Sequence, residues 1–139
     1  MNEAVITPYL FFGGRCQEAL DYYSDALGAE IGETMLFSQS PVPISEGFLE
    51  PGFESKVMHG SFKLAGAEVF VSDGYKSGGS FDGFVLTLTL KSSEVATRLF
   101  NALAEDGSVQ MPLTPTFYSP LFGMVTDRFG LGWMIMLNP

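Results

Sequence analysis

Near the C-terminus the chain reads Phe122-Gly123-Met124-Val125-Thr126-Asp127-Arg128-Phe129-Gly130-Leu131-Gly132-Trp133-Met134-Ile135-Met136. Runs of Val, Ile, Met and Trp suit a half-buried sheet, and Asp127 and Gly130 supply turn chemistry between them. The stretch predicts two short strands in a hairpin that closes the fold. On the second strand Trp133 and Ile135 alternate with Met134 and Met136, so the two sets face opposite sides.

Working back from this hairpin, Pro112 to Pro120 is expected to be a loop carrying Phe117 and Tyr118, after a short strand from Ser108 to Met111. Before that, Ser92-Ser93-Glu94 is a helix start, with Val95, Ala96, Leu99, Phe100 and Leu103 at helical spacing and Gly107 as the stop. Gly83 to Lys91 alternates as a strand. Its Phe84, Leu86, Leu88 and Leu90 should meet the helix, leaving Val85, Thr87 and Thr89 on the other face. Tyr75 to Asp82, rich in Gly and Ser, is the clearest linker.

The first half repeats this order. Val5 to Phe12 predicts a strand ending at Gly13-Gly14. Gln17 to Leu27 predicts a helix stopped by Gly28. Ala29 to Phe37 predicts a second strand, Gln39 to Ser55 a long loop that is either a lid or an interface, and Lys56 to Leu64 with Ala67 to Ser72 a hairpin across Ala65-Gly66. Alternation places Met58, Phe62 and Leu64 toward the helix and Val57, His59 and Ser61 opposite. Superposing the halves aligns Glu18 with Glu94, Ala26 with Ala102 and Leu27 with Leu103, which supports an internal repeat.

Composition bounds the function. In 139 residues, sixteen acids against seven Lys and Arg give a net charge of -9, which opposes nucleic-acid and anionic-membrane partners. One cysteine, Cys16, allows no internal disulfide. The N-terminal stretch lacks a basic signal-peptide region, and no apolar run approaches the ~20 residues of a membrane span, so a cytoplasmic location is expected.

Paired βαβββ modules, the helix Glu18-Ala19-Leu20-Asp21-Tyr22-Tyr23 ending Leu27-Gly28, and the Asp127-Arg128-Phe129-Gly130 turn resemble the vicinal oxygen chelate superfamily of glyoxalase I, fosfomycin and bleomycin resistance proteins and extradiol dioxygenases. Met58-His59-Gly60, Met111-Pro112-Leu113, Phe122 to Asp127, and Phe129-Gly130 with Trp133-Met134 are similar to its PhnB-like branch. The resemblance implies an α+β fold. It implies one glyoxalase-like domain of two tandem modules, about 1–74 and 83–139 around a linker at 75–82, with a cupped mixed sheet and helices on its outer face. It also implies a homodimer.

Metal-using members of the superfamily hold the ion with ligands from the first and last strands of each module. Those places fall near Pro8, Phe70 or Val71, Val85 and Met134. None of these suits a hard divalent ion, since such ions take imidazole or carboxylate and a thioether suits only soft metals. The expectation is therefore no metal cofactor, with Glu68 the nearest carboxylate. The implied cup would be walled by Leu10, Phe70, Val85, Met134 and Met136, with His59, Ser72 and Thr87 as sparse polar groups; Met124, Met134 and Met136 are either an adaptable ligand surface or core filler, and Tyr118 either caps the pocket or buries a dimer contact. His59 is the one candidate general base, although a lone strand histidine is also an ordinary structural residue. The expected function is metal-free binding of a small cationic or aromatic molecule. The alternative is a metal- or His59-dependent lyase, isomerase or thiol-transferase. A methyltransferase is not expected, because the element order is not that of a doubly wound sheet with a cofactor-cradling glycine loop.

Overall fold

The computed structural model describes residues 3–139, which divide into two compact units at Gly79/Ser80, inside the expected linker. In the first unit β1 (Tyr9–Phe11) leads through α1 (Cys16–Leu27) to the short strands β2 (Glu30–Ile31) and β3 (Met35–Leu36), then β4 (Val57–Leu64) and β5 (Ala67–Ser72). The second unit runs β6 (Leu86–Leu90), α2 (Ser93–Ala104), β7 (Ser108–Thr114), β8 (Phe122–Thr126) and β9 (Gly132–Leu137). The sheet orders are β1-β5-β4-β2, with β3 also on β4, and β6-β9-β8-β7. In both units the first strand pairs parallel to the last, and the remaining pairs are antiparallel. The fold is thus α+β: the second unit is βαβββ, the first follows the same order with the strand after α1 split into β2 and β3, and neither sheet closes.

Each helix packs one apolar stripe on its sheet. On α1 the buried residues are Cys16, Ala19, Leu20, Tyr23 and Leu27, on α2 Ala96, Leu99, Phe100 and Leu103, both at three- and four-residue spacing. The Tyr23 ring lies 5.5 Å from Phe62 of β4 and 6.2 Å from Phe12. Gly28 caps α1 at φ 72°, a left-handed turn that glycine enters without a Cβ penalty. Ser92 caps α2 by accepting a hydrogen bond from the Val95 N–H.

Several sequence expectations shift. The first strand keeps only Tyr9–Phe11, and Val5 and Ile6 are exposed. The expected strand from Ala29 to Phe37 breaks into two dipeptide bridges and a 3-10 turn at Phe37–Gln39. The left-handed position after α2 is Asp106 (φ 60°), one residue before the expected Gly107. Strand β7 runs on through Pro112 to Thr114, because as an edge strand with two register irregularities it tolerates a missing N–H. Val57, expected on the open face, is fully buried, whereas Met58 is only half-buried.

Candidate functional site

The open face of the first unit carries an aromatic cluster. The parallel register sets Tyr9 beside Phe70 and Phe11 beside Ser72, and the β3–β4 bridge sets Met35 beside His59. Tyr9 and Phe11 stack at 4.9 Å with planes 5° apart. Phe70 presents its edge to Tyr9 at 5.8 Å and to His59 at 5.3 Å. The Tyr9 hydroxyl lies 2.9 Å from His59 Nδ1. Despite these contacts Tyr9 is 42% and Phe11 56% exposed, so the cluster is a surface and not a core. Partial burial raises the Tyr9 pKa, with a smaller push from the charge of Cys16.

Beyond Ser61 on the same unit lies an open groove of about 350 Å³, lined by Glu30, Ile31, Gly32, Glu33, Ser61, Lys63 and Glu68. Three carboxylates against one ammonium make it acidic.

Two expected wall residues lie elsewhere. Leu10 is 2% exposed and pairs with the fully buried Val71, so it faces α1. The register puts Tyr9, not Leu10, beside Phe70, and a one-residue slip reverses a strand's faces. Ser72 is also buried. Its hydroxyl bonds the Val57 carbonyl and the Gly74 N–H, a structural role that takes it out of any pocket. Phe70 and His59 lie where expected, on the open face. Tyr9, Phe11 and Met35 were missed, although the same alternation that placed Phe70 could have found Tyr9 had the parallel register been known.

The open face of the second unit is built from a different chemistry. Thr87 opposes Met134, and Met134 opposes Met124, so these three stand abreast, with Met136 two residues along β9 and opposite Phe122. The methionines are half-buried and Thr87 is exposed. Val85 precedes β6 and is partly exposed. Tyr118 packs its ring 5.3 Å from Phe122 and 4.9 Å from the fully exposed Phe117.

Pro8, Phe70, Val71, Val85 and Met134, the places where the superfamily's metal ligands would fall, offer one thioether and no imidazole or carboxylate. The Pro8 carbonyl is already used by the Phe70 N–H at 2.9 Å. This donor set does not fit a hard divalent ion. Among the described residues no three His, Cys, Asp or Glu side chains converge elsewhere.

Two buried carboxylates escaped the sequence reading. Asp73, 1% exposed, accepts hydrogen bonds from the backbone N–H groups of Gly14 (2.7 Å) and Cys16 (2.8 Å) on Oδ1, and of Val57 (2.8 Å) on Oδ2. It caps α1 from β5's end, since Arg15 at the cap position supplies no side-chain acceptor. Beside it the buried Cys16 thiol is pushed well up, by desolvation and then by the Asp73 charge. Asp127, expected as a turn residue, is indeed at the turn and is buried. It accepts from Phe129 N (2.8 Å), Leu131 N (3.1 Å) and Trp133 Nε1 (2.9 Å).

Against known proteins, the profile of the family described as 3-demethylubiquinone-9 3-methyltransferase matches residues 4–136. The chain belongs to this family. Protein YjdN of Escherichia coli K12 is 35% identical over 138 residues, covering 94% of this chain and 92% of that protein. Protein PA1353 from Pseudomonas aeruginosa superposes with a TM-score of 0.84 at 38% identity, over 98% of both chains. A PhnB protein from Bacillus cereus, described as a putative 3-demethylubiquinone-9 3-methyltransferase, gives 0.78 at 29% identity, over 97% of this chain and 100% of that one. At the level of fold alone, a glyoxylase/bleomycin resistance protein/dioxygenase domain from Frankia gives 0.67 at 14% identity over 99% and 98%. The chain is therefore PhnB-like, and it shares the fold of the glyoxalase, bleomycin resistance and dioxygenase proteins. No described helix is long and apolar enough to cross a membrane.

Proposed function

We propose that this PhnB-like chain is a small-molecule binding protein whose first unit holds a cationic or aromatic ligand on its open sheet face. The observation that carries this reading is the exposed cluster of Tyr9, Phe11, His59 and Phe70, with ring spacings of 4.9 to 5.8 Å. Exposed rings of this kind supply stacking surface and, to a cation, a negative ring face. The acidic groove and the net charge of -9 favour a cation at modest ionic strength. On the second unit the row Thr87, Met134 and Met124 with Met136 offers an adaptable apolar wall. The metal-ligand places, lacking hard donors, favour binding without a metal cofactor.

Isothermal titration with a panel of flat aromatic and quaternary ammonium compounds, paired with product analysis, tests this. A binder should come through unchanged, and Phe11→Ala should weaken it by at least about 1 kcal/mol, roughly fivefold. Conversion of the bound compound would overturn the reading.

The Tyr9–His59 hydrogen bond favours a second reading, in which His59 is the base of a lyase, isomerase or thiol-transferase; His59→Ala would then abolish turnover. The methyltransferase named in the family's description has less support here. An anionic cofactor group would seek a helix N-terminus after a glycine turn, and at Gly13-Gly14 that position is already filled by the Asp73 carboxylate. We also propose a homodimer, on the strength of the exposed Val5, Ile6, Phe48 and Phe117. A monomer by sedimentation at micromolar concentration would refute it.

A further inference from the structure

We propose that Tyr9 is a positioning residue that fixes His59 as an outward hydrogen-bond donor, so that the first unit's open face selects flat aromatic ligands carrying an acceptor atom. The inference rests on the binding reading above and narrows its ligand class.

A neutral imidazole has one donor and one acceptor nitrogen, and the hydrogen bond at one decides the other. The Tyr9 oxygen sits 2.9 Å from Nδ1. Because partial burial raises the phenol pKa above its ordinary value, Tyr9 keeps its proton at neutral pH and has it to give. Among the described residues neither the Tyr9 hydroxyl nor the His59 ring has another hydrogen-bond partner. If Nδ1 carried the proton, it would donate to the phenol oxygen, and the exposed phenol O–H would be left to water. The arrangement that gives the phenol proton a protein acceptor has Tyr9 donating to Nδ1, which places the imidazole proton on Nε2.

The rest of the cluster holds this geometry. Phe11 stacks on Tyr9 with planes 5° apart, and Phe70 braces Tyr9 and His59 together at 5.8 and 5.3 Å. Two parallel rings and one N–H donor complement a flat ring with a heteroatom lone pair or a carbonyl. They offer nothing specific to a cation beyond its ring contact. Acceptor recognition through Nε2–H therefore depends on Tyr9 even though Tyr9 does not supply the donor.

His59 is the one histidine of the chain, so 15N-histidine labelling gives a single residue's signals. The wild type should show a protonated Nε2 and a hydrogen-bonded, unprotonated Nδ1. Tyr9→Phe, which removes one oxygen from an exposed side chain, should move Nδ1 to the free-acceptor position while the amide spectrum stays folded. In titrations at mildly alkaline pH, isoquinoline offers a ring nitrogen acceptor, and N-methylisoquinolinium is the same ring with a cation and no acceptor. Tyr9→Phe should weaken isoquinoline about three- to tenfold and weaken N-methylisoquinolinium, which meets the same rings without an acceptor, by a clearly smaller factor. A proton on Nδ1, or a Tyr9→Phe effect that is equal on both rings or absent, overturns the donor assignment and leaves the binding face standing. Failure of both rings to bind the wild type overturns the binding reading and this inference with it.

Discussion

Asp73→Ala would strand the buried backbone N–H groups of Cys16 and Val57 and the part-buried one of Gly14. Each unsatisfied buried donor costs about 1–3 kcal/mol, so a loss of at least ~2 kcal/mol in urea unfolding is expected. Asp73→Asn, which keeps the shape and one acceptor oxygen, should lose less. Equal stability of the Ala variant and wild type would show that water replaces the carboxylate. Nothing in the sequence around Asp73 announces this role, because its partners lie 16 to 59 residues away along the chain. Trp133 could be assigned to the core from alternation alone, and the structure buries it. Its indole partner Asp127 could not, since a turn aspartate normally serves its own backbone, as this one also does. Leu10 shows the same limit from the other side. Its strand was readable, but its face depended on the register of a partner sixty residues downstream.

At the scale of elements, both helices were legible because apolar residues at a 3.6 period need only local information. The β4–β5 hairpin was legible because Ala65-Gly66 is a turn that a two-residue connection demands, and both residues adopt positive φ, 52° and 79°. Strands β2 and β3 were not, because two-residue bridges carry no period. The long loop from Gln39 to Ser55 also resolves into something the sequence left open. It is tied to the residues that follow β5, through Glu50 accepting from the Ser77 hydroxyl at 2.7 Å and the Ser77 N–H at 3.2 Å, and through the Phe48 ring 5.2 Å from Tyr75. The Ser77 hydroxyl and then its N–H hold the Glu50 carboxyl below its ordinary value. A depressed folded pKa means the tie is present above the ordinary glutamate range and is lost as pH falls through the lowered value. Hydrogen exchange in the loop, corrected for intrinsic rates, should therefore rise once the pH falls below the ordinary glutamate range. Ser77→Ala should show that faster exchange already at neutral pH. A loop whose exchange ignores both changes would not be held by this contact.

For the whole molecule, the double βαβββ topology and the PhnB-like branch were readable in the sequence, because repeat order and turn motifs survive without knowledge of packing. The site was readable in part. The positions where metal ligands would sit came from the resemblance, aligned on its helix and turn motifs, and of the aromatic face His59 and Phe70 were singled out, whereas Tyr9 and Phe11 emerged only from the strand register. The chain keeps the glyoxalase-like fold, and the places where the resemblance sets metal ligands offer no imidazole or carboxylate; the proposed function puts ligand binding on the aromatic face. The most direct test is elemental analysis of protein purified without an affinity tag or chelator. The expected result is no zinc, manganese, iron or nickel near one atom per chain. A stoichiometric transition metal would contradict it, restore the metal-dependent enzyme reading, and direct the search for ligands to His59 and Glu68.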